Sequence, residues 1–140
     1  MPLLRKIQTL SLFLLVGAWT SPTLAGTSSY QCMISEQLQL QDDGRLLRPS
    51  NAWLIGKRFS IDRATGRIVG PEAGFWSAAD SKFTVLATGN DRNSFKVQIA
   101  WPAASNGMHL TVISVDEFVK SMPKPFLAIS GSEASSGLCE

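Results

Sequence analysis

Histidine and tyrosine occur once each in this 140-residue chain, as His109 and Tyr30, and cysteine occurs twice. A centre built on imidazole therefore has a single candidate, and no Gly-x-Ser-x-Gly motif or activated cysteine accompanies it. One imidazole, with both cysteines expected to be oxidised, makes a poor zinc site, so no metal and no cofactor are expected. The sequence also lacks internal repeats, linkers and low-complexity tracts, which leaves one domain as the economical organisation. The apolar run from Leu10 to Trp19 is too short to cross a membrane as a mature helix.

That run does fit the core of an export signal. Arg5 and Lys6 precede it, small residues follow it, and Thr23-Leu24-Ala25 forms an acceptable cleavage site. The expectation is a signal peptide over 1–25 and a mature domain over 26–140 with no membrane span. Thr27 stands where a lipoprotein would follow Gly26 with cysteine, which disfavours a lipid anchor. Removing the signal also removes the excess positive charge. Thirteen Lys and Arg against eleven Asp and Glu become eleven against eleven once Arg5 and Lys6 are gone. With no basic cluster longer than Lys57-Arg58, a nucleic acid partner is not expected, because binding to phosphates needs a concentrated cationic field.

The remaining residues carry a β pattern: short stretches rich in aromatic and β-branched residues, separated by turn signals every ten to fifteen positions. From Tyr30 to Leu40, Tyr30, Cys32, Ile34, Leu38 and Leu40 share one parity and Gln31, Ser35, Gln37, Gln39 and Gln41 the other, with Glu36 alone breaking the inward set. Asp42-Asp43-Gly44 makes a turn. Arg58–Asp62 and Arg67–Gly70 form a hairpin across Arg63-Ala64-Thr65-Gly66. Strands over Lys82–Thr88 and Ser94–Trp101 flank Gly89–Asn93, with Phe83, Val85 and Ala87 expected on the same core as Phe95, Val97, Ile99 and Trp101. Met108–Val115 follows the loop Pro102–Gly107. Asp116–Lys120 is expected as one short helix or wide turn, and Phe126–Ser130 as the last strand. Pro123 and Pro125 make that strand an edge or closing strand rather than an interior one, since proline cannot donate to a ladder. The expectation is an all-β fold, a small antiparallel meander, barrel or sandwich of about seven strands.

Cys32 lies in the first strand and Cys139 in a Gly/Ser-rich tail. Outside the cytosol such a pair favours a disulfide, which would tie the tail to the first strand and close nearly the whole mature chain; two free thiols are the alternative. A catalytic disulfide is disfavoured by the absence of a Cys-x-x-Cys motif.

The segments Tyr30-Gln31-Cys32, Asp42-Asp43-Gly44, Phe59 to Gly70, Asn93 to Val97, Lys124-Pro125-Phe126 and Gly137-Leu138-Cys139 together resemble small uncharacterised exported proteins of Gram-negative bacteria with a terminal cysteine pair. The resemblance implies a periplasmic or secreted location and a paired terminal disulfide, and no established chemistry. The Tyr-x-Cys opening also looks like the small β-barrel inhibitors of animal-type lysozyme, a likeness that ends after a few residues.

Asp42, Asp43, Asp62, Asp80 and Asp91 sit where turns use aspartate, and Gly89–Asn93 lacks the spacing of a calcium loop. Arg63 and Arg67 could hold an anion at the hairpin tip, or stand solvated there. The candidate binding residues are Trp53, Phe75 and Trp76, which fall in irregular segments where large aromatics need either a core pocket or a partner. The expected function is that of a non-enzymatic exported β-domain binding a protein partner in the envelope. The alternatives are a carrier of a small apolar ligand inside a barrel, and a hydrolase using His109.

Overall fold

Strand-period alternation dominates the chain from Ser29 onward, and the polypeptide answers it with one antiparallel sheet. The structure, a computed structural model, describes residues 28–70, 76–103 and 107–140; the expected signal peptide over 1–25 and Phe75 lie outside the described residues. The strands are β1 (Ser29–Leu40), β2 (Leu46–Leu47), β3 (Arg58–Asp62), β4 (Ile68–Val69), β5 (Lys82–Asn90), β6 (Asn93–Pro102), β7 (Met108–Val115), β8 (Lys124–Ser130) and β9 (Glu133–Cys139). They lie in the order β4-β3-β1-β9-β8-β7-β6-β5, with β2 paired to the end of β1. The sheet curls into a half-barrel. No helix occurs among the described residues, and Asp116–Lys120 is a turn.

The concave face carries the core. Phe95, Val97, Ile99, Ile113, Val115, Phe126 and Ala128 from β6, β7 and β8 meet Tyr30, Cys32, Ile34, Phe59 and Ile61 from β1 and β3, all 3 % exposed or less. Leu54 and Trp76 enter from irregular segments and fill the space under the curl, Trp76 standing edge-on to Phe59 with ring centroids 4.8 Å apart. The β3–β4 hairpin tip folds over the same space. Gly66 sits there at φ +73°, and a Cβ on it would lie 2.4 Å from Val97 Cγ2, so both its conformation and its neighbour exclude a side chain.

Three expectations are corrected by the pairing. First, β1 contains a bulge at Ser35: Ile34 opposes Gly137 and Glu36 opposes Ser136. An added residue reverses the parity of everything beyond it. Gln37 therefore points into the core, where its Oε1 accepts the Leu54 N–H at 3.3 Å, while Leu38 is half-buried and Leu40 is exposed. Glu36, the exception to the inward set, faces outward and binds Arg48 through two hydrogen bonds of 2.8 and 2.6 Å. Second, a bulge at Leu86 does the same in β5, so Phe83 and Val85 oppose Ile99 and Val97 but Ala87 opposes Lys96 on the outside. Third, Phe126–Ser130 is neither the last strand nor an edge. The tail 133–139 is itself a strand, and it lies between β1 and β8. Pro125 is tolerated because the β7 ladder begins only at Phe126, while the Pro125 carbonyl accepts the Asp116 N–H at 2.9 Å.

Cys32 and Cys139 face each other across β1 and β9 and form a disulfide spanning 107 residues of sequence. Gly137 belongs to the same close approach: a Cβ there would come within 2.0 Å of the Met33 carbonyl oxygen. The Ser/Gly-rich composition of β9 is what lets two larger strands close on it. The free edges are blunted, β4 by its two-residue length and β5 by its bulge and Lys82.

Candidate functional site

The half-barrel has two unlike ends, and its outer face is unlike either. At one end, next to the disulfide, polar groups on the concave side satisfy each other. The Tyr30 hydroxyl donates to the Glu117 carboxylate, Arg63 Nη2 pairs with Glu117 Oε1 at 3.0 Å, and the Arg63 guanidinium lies 4.9 Å over the Tyr30 ring. The Tyr30 ring in turn packs on Phe95, centroids 5.2 Å apart. Burial, and then the Glu117 carboxylate, hold the Tyr30 hydroxyl far above the ordinary phenol range. Lys124 Nζ closes the turn below by donating to the Glu117 carbonyl at 3.2 Å and to the Val119 carbonyl.

At the other end the register brings polar groups together without pairing them all. Residues opposite each other in an antiparallel pair share a face. Thr111, wholly buried on the concave side, opposes Ser130; Ser130 opposes Glu133; and Glu133 opposes Gln39. The Thr111 hydroxyl donates to the Ser130 hydroxyl at 2.8 Å. Glu133 Oε2 is buried and has no hydrogen-bond partner. Toward the rim Trp101 opposes His109, and their rings stack at 5.2 Å with 19° between planes. Trp101, His109, Ser130 and Glu133 line an open cleft of about 770 Å³ that wraps over the 130–133 turn and includes Leu110 and Ile129 from the outer side. His109 is exposed, and among the described residues it makes no hydrogen bond to a serine or a carboxylate.

The outer, convex face carries a diagonal apolar stripe across four neighbouring strands. Leu110 on β7, Ile129 and Leu127 on β8, Leu138 on β9 and Met33 on β1 are each between 41 and 49 % exposed. Leu138 directly opposes Met33, and the others are diagonal neighbours on the same face. Exposed cations bound the stripe on both sides: Arg58 on β3, which opposes Met33, and Lys96 on β6, which opposes Ser114, with Lys82 beyond it on β5. The convex acid Glu36 is already taken by Arg48.

The aromatic candidates do not form one patch. Trp53 is 46 % exposed in the turn before Leu54, Trp76 is 2 % exposed in the core, and Phe75 lies outside the described residues. The stripe and the polar end were not singled out by sequence. One signal for the stripe was present: Phe126-Leu127-Ala128-Ile129 is apolar at both parities, the pattern of a strand with two apolar faces. The polar end had none, because Thr111, Ser130 and Glu133 meet only through pairing. Among the described residues no cluster of three His, Cys, Asp or Glu side chains could hold a metal ion, and no helix is long and apolar enough to cross a membrane. Comparison with protein-family models, with curated proteins and with solved structures finds no match to this chain.

Proposed function

We propose that this chain is a non-enzymatic β-domain exported to the periplasm or beyond, and that it binds a protein partner in the bacterial envelope through its convex face. The observation that carries this is the stripe Leu110, Ile129, Leu127, Leu138 and Met33. Five large apolar side chains, about half exposed and contiguous across four strands, form the kind of patch that soluble monomers rarely leave uncovered. The cations Arg58 and Lys96 on its two sides specify the partner further: a protein surface apolar at its centre and acidic at its margins. The disulfide is compatible with an oxidising compartment.

The interior supports this reading over a ligand carrier, since Trp76, Phe95 and Leu54 occupy the concave face with 2 % exposure or less. The test replaces Leu127 and Ile129 by aspartate. Both side chains are exposed on the convex face, so the double variant should keep the far-ultraviolet spectrum and unfolding midpoint of the parent. It should lose a stoichiometric complex with the envelope protein that the wild-type domain retains through size exclusion. Retention of that complex by the double variant ends the proposal, and binding instead to anionic vesicles would replace the protein partner by a membrane surface.

A further inference from the structure

The geometry points to a second site, at the polar end of the concave face, that takes a cationic group: a guanidinium or primary ammonium carried on a flat or apolar body about 10 Å long. It goes beyond the convex-face reading and takes its recognition groups from other residues, Glu133, Ser130, Trp101 and His109.

Glu133 supplies the recognition. Its carboxylate stands on the concave side at the first position of β9, and Oε2 is shielded from water with no donor to satisfy it. A buried polar atom left without a partner is costly, which makes the free domain incomplete at this point. Glu133 itself lines the cleft, and the neighbouring side chains provide the rest of a binding surface. Ser130, opposite Glu133, holds a hydroxyl already oriented by Thr111 and retains acceptor capacity for a second N–H. His109, two strands away, and Trp101, three strands away, at a spacing of about 5 Å per strand, stack their rings and offer a planar surface for the body of the ligand. Among the described residues no cation pairs with Glu133: the salt bridges of Arg45, Arg48 and Arg63 all go to other acids. The contrast with Glu117, which has Tyr30 and Arg63, shows that the fold supplies partners where an acid is structural.

Such a cation could be a free organic amine or the basic side chain of a bound polypeptide. The shared chemistry is a charge-assisted hydrogen bond to Glu133, and the two sources separate by probe. Titration calorimetry of the intact disulfide-bonded domain with N-benzoyl-argininamide, which carries a guanidinium and an aromatic body, should give saturable binding. Its uncharged isostere N-benzoyl-citrullinamide should bind about tenfold to a hundredfold more weakly, and Glu133→Gln should weaken the arginine probe by a similar factor. A blocked pentapeptide with a central arginine that binds more tightly than N-benzoyl-argininamide assigns the site to a polypeptide side chain, and the reverse order assigns it to a small cation.

A second readout separates a ligand role from a structural one. Glu133→Gln should leave the unfolding midpoint of the free domain unchanged or raise it, since no donor of the free domain is lost from Oε2. Equal binding of the arginine and citrulline probes, undiminished binding by Glu133→Gln, absence of binding to the guanidinium probes, or a lowered midpoint in Glu133→Gln would each overturn the inference. A Leu127→Asp/Leu138→Asp variant, with both positions on the convex face and outside the cleft, should retain the probe affinity while losing the convex-face partner, so loss of that partner and loss of this site are told apart.

Discussion

Glu117 and Glu133 occupy opposite ends of one concave surface, and the sheet treats them differently. Glu117 receives the Tyr30 hydroxyl and the Arg63 guanidinium, on strands and turns drawn together beside the Cys32–Cys139 disulfide. Glu133 receives nothing at Oε2. One end of the half-barrel is fastened by sulfur, an ion pair and an aromatic stack; the other is an open cleft of hydroxyls, rings and an unsatisfied carboxylate. The comparison teaches where stability and recognition reside. Interactions at the fastened end join segments far apart in sequence, so they resist unfolding. The open end gains little from being closed and is available to a second molecule.

The largest break in this comparison comes from the disulfide. Cross-linking across 107 residues restricts the unfolded chain enough to contribute roughly 4 to 5 kcal/mol in the chain-entropy model. Reduction, or the double change Cys32→Ser and Cys139→Ser, should therefore lower the unfolding midpoint by on the order of 20 °C. An unchanged midpoint in scanning calorimetry would show that the fastened end is held by packing alone.

A smaller effect sharpens the role of Tyr30. Its replacement by phenylalanine removes the hydroxyl from Glu117 and leaves that acid with Arg63, at a cost of about 1 to 2 kcal/mol near neutral pH. The sign of the pH dependence follows from the raised folded-state value. The folded chain keeps the phenol proton where the unfolded chain releases it, so the contribution of Tyr30 is complete below about pH 10 and declines as pH rises beyond it. The stability gap between the wild-type protein and Tyr30→Phe, measured by urea unfolding, should thus narrow above that pH. A gap that stays constant to pH 11 would contradict the buried, Glu117-bound phenol.

The smallest effect lies at the hairpin tip that folds over the fastened end. The Asp62 carboxylate accepts the Thr65 hydroxyl and the Thr65 N–H, both at 2.7 Å, and the hydroxyl is the main reason its carboxyl lies below the usual range. A lowered folded-state value means stability that is present above the ordinary carboxylate range and lost as pH falls through the folded one. Asp62→Asn should flatten the acid limb of the stability curve slightly, with an effect limited by its exposed position. An identical acid limb in both proteins would remove the turn from the account.

Much of the strand pattern was legible. Alternation located β3, β5, β6 and β7, and turn residues located the reversals at Asp42-Asp43-Gly44 and Arg63-Ala64-Thr65-Gly66. The bulges were not, because periodicity of two carries no mark of an inserted residue. Glu36, out of place in the inward set, was the trace that the bulge at Ser35 left in the sequence. Strand β9 was missed for a different reason. Ala134-Ser135-Ser136-Gly137 has little strand preference of its own and is extended because β1 and β8 take it between them.

What the chain determined by itself was local: which stretches extend, where they reverse, and that two cysteines bracket nearly all of them. Those properties follow from steric preferences and apolar spacing within a few residues. The identity of the faces was settled only by tertiary pairing. Register and two bulges decide whether a side chain enters the core, joins the apolar stripe or stands at the open end, and register depends on residues a hundred positions apart. Ser130 and Glu133 are near neighbours along the chain, but Gln39, Trp101 and His109 reach their end of the sheet only when the half-barrel has formed.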